Sequence, residues 1–168
     1  MDIISHALIG KIFCYFDKKA KNKNWQIILF SILPDFVIFP FYIVLGKENQ
    51  RFLWIAQNQD WTGASLTHPI LTDTYNITHS IIFALLVILP VILFFKLPKS
   101  AFYVYLVHII VDIFTHTGEW AIKIFYPFNF SINGFTDVWI WPFSSMIILW
   151  AMLSAIILYL NVRTVNKN

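Results

Sequence analysis

The chain predicts an all-α polytopic membrane protein: a helical bundle of four spans, preceded by a short or half-span N-terminal helix. Three observations carry that expectation. Of 168 residues, 58% are hydrophobic and only 12% charged, against about 25% charge in an average soluble domain. Four apolar stretches approach the ~20 residues that cross a bilayer. Seventeen Phe, seven Trp and seven Tyr supply rings that settle where a membrane meets water. No composition shift divides the chain, so residues 1–168 read as a single integral membrane domain.

Taken in order, residues 2–16 are apolar around Lys11, which fits a tilted half-span or a helix lying in the interface. The opening MDIISHALIG has no basic stretch before its apolar run and no small-residue cleavage site. It is therefore expected to stay in the mature chain rather than serve as a signal peptide. The first span runs from Trp25 to Leu45 and contains Pro34 and Asp35. Proline removes a backbone donor and clashes one turn back, so a kink or break is expected there. The second span runs from His79 to Leu97, with Thr78 or Asn76 as its cap. The third runs from Ala101 to about Thr117, with Gly118 as its stop. The fourth runs from Trp139 to Leu160. Between the spans, His68 and Asp73 read as solvated loop residues, and Glu119 and Asp137 as solvated charges at the interface. The aromatic 118–138 segment is expected to lie along the membrane surface.

Lysine and arginine set orientation. Lys18, Lys19, Lys21 and Lys23 precede the first span, Lys96 and Lys99 join the second to the third, and Arg163 and Lys167 follow the fourth. With four spans all three clusters share one side, which the positive-inside rule makes cytoplasmic, at the inner membrane of the cell. A formal charge of +3 confined to short loops leaves no basic face for nucleic acid. Cys14 is the only cysteine, which excludes an intramolecular disulfide and a thiolate zinc site.

Ionisable groups at membrane depth cost on the order of 3 kcal/mol each on insertion scales, so each needs a reason. Asp35 follows Pro34 near the middle of the first span, and a broken span with a carboxylate at the break is a recurring way to build a site. In HIIVDIFTH, His108, Asp112 and His116 recur at steps of four. Each step drifts about 40° and rises about 6 Å, so the three share one stripe. The two histidines are then about 12 Å apart, too far to ligate one ion unless the helix bends or ends between them. Asp112 with one histidine, or two ions bridged by Asp112, both satisfy the spacing, since zinc takes imidazole nitrogen and carboxylate oxygen at about 2.0–2.2 Å. An interhelical polar network or a proton relay uses the same residues, and Asp35 alone can serve as a helix cap. His6 and His79 carry little signal singly.

Read together, His6, the LPD ending at Asp35, THS at His79 and the HxxxDxxTH from His108 to His116 resemble the LexA-regulated, membrane-bound metal-dependent hydrolases. That family is grouped with zinc-dependent phospholipase C and single-strand nucleases. The resemblance runs from the N-terminus to about Pro127. It implies that His6, Asp35, His79, His108 and Asp112 are metal ligands, with His116 as a further one. It also implies that Asp35 assists the attacking water and that Asp112 bridges two ions. Two departures stand out. Thr74, Tyr75 and Asn76 occupy the place of a histidine–arginine–glycine group, and no histidine follows His116. One or two ions, zinc first, are therefore expected rather than three.

In that orientation Asp35 lies about 15 Å above the cytoplasmic end of its span, and the site falls in the middle to outer half of the bilayer. His6 reaches it only if residues 2–16 enter the membrane with their start pointing outward, leaving Lys11 to snorkel to the inner headgroups. The expected function is a membrane-embedded hydrolase acting on a phosphoester, for which a lipid-like substrate suits the depth. The alternatives are a metal or proton carrier and a structural bundle.

Overall fold

The computed structural model describes residues 2–17 and 23–165. Lys18, Lys19, Lys21 and Lys167 of the basic clusters lie outside them. Seven helices carry the architecture of the described residues: α1 (Ile3–Phe16), α2 (Asn24–Phe36), α3 (Phe39–Glu48), α4 (Pro69–Thr78), α5 (Ile81–Phe94), α6 (Lys99–Thr115) and α7 (Phe143–Val165). Extended pairing among these residues is limited to an isolated antiparallel bridge between Ile122 and Ile132.

The all-helical membrane class holds, but the expected four spans do not. Among the described residues two stretches are long and apolar enough to cross a bilayer, Asn24–Glu48 and Phe143–Thr164. A third exists only if α4 and α5, bent by 59°, count as one broken span. The third expected span became α6, whose 17 residues reach about 25 Å against a hydrocarbon thickness of about 30 Å.

The second expected span also has different boundaries. His79 does not begin a helix; α4 already runs from Pro69, and His79 is its C-terminal cap. The cap of α5 is Ser80, whose hydroxyl accepts from the Ile82 amide, rather than Thr78 or Asn76. Pro69 explains the early start, because proline suits a first helical position where no donor is required. Within α5, residues Ala84–Ile88 form a widened π turn, which gives room to the ring of Pro90 that would clash one turn back in a regular helix.

The break in the first stretch falls at Val37 and Ile38, just beyond Asp35 and not at Pro34, which stays inside α2. Pro40 is the reason: at the second position of α3 it cannot donate back to Phe36, so the backbone between the two prolines is released. α6 ends at Thr115, before the expected stop at Gly118, and His116 is its extended cap. The carbonyls left unpaired at that end are taken up by the 134–136 backbone: Gly134 N donates to His116 O at 2.8 Å and Phe135 N to Phe114 O at 3.0 Å. The final helix starts at Phe143, four residues later than Trp139, and runs on past Leu160.

α1 lies antiparallel to α2, with Cys14 Sγ near Asn24 O at one end and His6 beside Asp35 at the other. Small residues permit the approach, as in membrane helix pairs generally: Gly10 packs directly on Ser31 and Ile28. The interior is built by Ile27, Leu71, Ile92, Val104, Tyr105 and Ile109, all fully buried. α7 docks on the start of α1 through Trp150, whose Nε1 donates to Asp2 Oδ1 and Ser5 Oγ, both at 3.1 Å. Its other faces present Ile148, Met152 and Leu158 outward, as a lipid-contacting helix does. Lys23 Nζ donates to the Lys96 carbonyl at 3.4 Å, so residues from two of the basic clusters meet at one end of the bundle.

The loop after α3 is tied by an ion pair. Arg51 donates to both oxygens of Asp60, with Nη2 to Oδ1 at 2.6 Å and Nε to Oδ2 at 2.9 Å. The hydrogen bonds from Arg51 hold the Asp60 carboxyl below its usual range. A depressed folded pKa gives stability that is present above the unfolded value of about 3.9 and is lost as pH falls through the folded value. Asp60→Asn is therefore expected to lower the melting temperature in detergent at neutral pH. The difference from the parent should narrow as pH falls below the unfolded value of about 3.9, and thermal melts at neutral and acid pH check it.

Candidate metal centre

The histidines and aspartates singled out along the sequence come from four places in the fold. His6 sits one turn into α1, where the Asp2 side chain caps the helix by accepting from Ser5 N at 3.0 Å. Asp35 is in the last turn of α2, beside the break. His79 occupies the joint between α4 and α5. His108, Asp112 and His116 come from the far half and end of α6. His6, His79, His108, Asp112 and His116 are all fully buried.

Asp112 is the hub. Its Oδ2 lies 3.3 Å from His79 Nε2 and 3.1 Å from His108 Nε2. Its Oδ1 lies 3.1 Å from His6 Nε2 and 4.0 Å from His116 Nδ1. Asp35 Oδ1 lies 3.6 Å from both His79 Nε2 and His108 Nε2, and Asp35 Oδ2 is 3.8 Å from His6 Nε2. The His6 ring stacks on His108 with centroids 3.6 Å apart.

Backbone carbonyls fix the chemistry of two imidazoles. His79 Nδ1 donates to Tyr75 O at 2.9 Å and His108 Nδ1 donates to Ser31 O at 2.7 Å. A neutral ring that donates at Nδ1 keeps its lone pair on Nε2. The two Nε2 atoms are only 3.2 Å apart, and both face carboxylate oxygens that only accept. Two lone pairs and two anions turned toward one point require positive charge between them, as protons on the rings or as a metal ion.

The donor set fits a metal. Asp35, His79, His108 and Asp112 each offer one ligand atom, and these lie within 4.8 Å of one another. Neighbouring ligands of a tetrahedral zinc-sized ion are about 3.4 Å apart, close to the separations between the two Nε2 atoms and the carboxylate oxygens here, so little movement is needed. Mixed imidazole and carboxylate ligation suits borderline divalent ions, zinc among them. Nδ1–H bonds to carbonyls are the usual means of orienting such histidines.

His6 stands on the other side of Asp112 and completes a second donor pair with it. His116 is more peripheral. Because α6 ends before it, the chain turns His116 back toward Asp112 instead of carrying it a full helical step away. His68 and Asp137 depart from the solvated reading. His68 caps α4 and pairs with Glu48 at 3.1 Å, and Asp137 is half-buried. Glu119 is exposed as expected, and accepts from the Gly63 amide at 2.8 Å. Asp73 takes the Tyr126 hydroxyl at 2.9 Å.

Above the cluster lies a cavity of about 570 Å³, into which Asp35, Tyr75 and His116 project. Asp35 is the member of the four-ligand group with appreciable access, its side chain 15% exposed. Ser31, Tyr75, Asp2 and Trp150 support the cluster but carry no sequence signal. Any residue can lend a carbonyl, and Trp150 is far away along the chain.

A comparison with curated proteins and with solved structures finds no match. The family described as YdjM inner membrane protein matches over residues 1–168, in agreement with apolar helices long enough to span. The match takes in every residue described above, and the chain belongs to the YdjM inner membrane protein family.

Proposed function

We propose that this chain is a metal-dependent phosphoester hydrolase of the inner membrane. The carrying observation is the convergence of His79 and His108 lone pairs on Asp35 and Asp112 inside a buried pocket. Asp35, His79, His108 and Asp112 would hold one divalent ion, zinc first, and Asp112 with His6 supplies donors for a second. A bound ion of this kind acidifies water and offsets charge on phosphoryl oxygens. The protein's own part is to position and to move a proton. Asp35 Oδ2 is buried without a hydrogen-bond partner beside the cavity, placed to take the proton of the attacking water. Water adds across the ester P–O bond, its oxygen going to phosphorus and a proton to the departing oxygen.

A conduit is disfavoured by what lies beneath. One turn from Ser31 and His108 toward the basic end come Ile27 and Val104, with Ala101 beyond, all fully buried, an apolar floor that closes the pocket. Lys23 and Lys96 meet at that end, and with Arg163 they favour a cytoplasmic position for it under the positive-inside rule.

Asp35→Asn tests the reading. With metal per chain measured alongside, hydrolysis of a soluble aryl phosphoester is expected to fall by about 10²–10⁴, the usual contribution of a positioned base. Hydrolysis within a few-fold of the parent would remove Asp35 from the chemistry.

A further inference from the structure

The cavity above Asp35 is built mainly of aromatic and aliphatic side chains. Trp61, Trp120, Trp141 and Trp150 line it, with Ile38 and Met146 among the remaining walls. Its size falls within the ~300–1,000 Å³ of pockets that enclose most of a small organic ligand. A water-soluble phosphoester has no use for such walls; an alkyl chain does, at roughly 0.8 kcal/mol per buried CH₂. Asp35 and His116 reach in from the cluster at one end, and the Asp2 carboxylate, already engaged by Trp150 Nε1 and the Ser5 amide, is the other charged group of the lining.

The rim says where an occupant comes from. Ile4 at the start of α1, Ile55 in the loop after α3 and Phe143 at the start of α7 all line the cavity. They are also 50%, 55% and 68% exposed on the outside of the bundle. Apolar side chains that are at once cavity wall and outer surface give the cavity an apolar mouth, of the kind that suits an occupant arriving from hydrocarbon.

We propose that the cavity is the tail subsite of the hydrolase described above, and that its substrate is an amphiphilic phosphoester entering sideways from the bilayer. The inference rests on that hydrolase reading for the phosphoester and on the cavity for the hydrocarbon. Tryptophan indoles and aliphatic walls hold the chain, and the phosphoester end meets Asp35 at the cluster.

The full chain in lipid nanodiscs provides the test. Brominated dodecyl phosphate is expected to quench tryptophan fluorescence saturably, because four indoles line the subsite, while ethyl phosphate does not compete at equal concentration. Met146→Trp fills the cavity and should weaken dodecyl phosphate binding at least ten-fold. It should also reduce the preference for long over short alkyl phosphoesters in kcat/KM. Leu158→Trp, on the outward face of α7, should leave that preference as in the parent. Quenching that rises linearly with probe, with metal bound and short esters cleaved, overturns the tail subsite and leaves the hydrolase standing. Saturable quenching without metal or hydrolysis overturns the hydrolase, and the substrate assignment with it.

Discussion

Asp112→Asn is expected to lower divalent-metal affinity by at least 100-fold and to abolish phosphoester hydrolysis while the helices stay packed. One carboxylate reaches His79, His108 and His6 at once, so a single atom exchange would remove a donor shared by the proposed ion and the His6 side of the cluster. Orienting groups outside the ligand set change metal affinity by about 10–100-fold, and a shared ligand must exceed that. The amide is nearly the same size. Its NH₂ can donate to the Nε2 lone pairs of His79 and His108, replacing by hydrogen bonds the attraction that a cation supplies. Metal loss without unfolding is the signature. It is read by elemental analysis after detergent purification, with His108→Ala as a second ligand variant and His68→Ala, outside the cluster, as the control. Parent-like metal content in both Asp112→Asn and His108→Ala would falsify the metal centre and favour protonated imidazoles in its place.

The second large effect is expected at a residue with no chemistry. A Cβ added at Gly10 meets Ser31 Cβ at 2.9 Å and the Ile28 backbone at 3.1 Å, with the Ser31 hydroxyl closer still. Ser31 also supplies the carbonyl that accepts from His108, so displacing it disturbs the centre as well as the helix pair. Overpacking of this sort typically costs about 1–3 kcal/mol. Gly10→Leu is therefore expected to melt far below the parent and to lose metal together with stability. At Gly63 nothing lies within 4 Å, and only a φ of +76° opposes a side chain, a cost of about 1–2 kcal/mol. Melting curves that rank Gly63→Ala below Gly10→Leu would contradict the packing of α1 on α2.

The helix boundaries show where reading along the chain stops short. The break near Asp35 followed from Pro34 in kind, but Pro40 shifted it onward to Val37 and Ile38. His79 was attached to the wrong helix because the polar run from His68 to Asn76 has no membrane-like periodicity. α4 forms there because it is held from outside itself. Tyr105 donates to Thr78 O at 2.5 Å, Tyr75 to Trp120 O at 3.0 Å, and Thr78 to Pro34 O at 3.4 Å. Four spans shrank to two or three because length in residues ignores where a helix ends, and α6 ends early to turn His116 inward.

What the chain alone determined was the class, a helical membrane protein, and it marked Asp35, His108, Asp112 and His116 as ionisable groups in apolar stretches that need a reason, whereas His6 and His79 joined them only through the resemblance. The cost of an ionisable side chain in hydrocarbon is local and can be read one position at a time. Tertiary structure alone decided the arrangement. It set which oxygen of Asp112 faces which ring, which carbonyls hold the imidazole lone pairs inward, and that α1 turns back along α2 to deliver His6. The apolar cavity beside Asp35 belongs to that second class, since its walls come from helices and loops remote in sequence that meet only when the bundle packs.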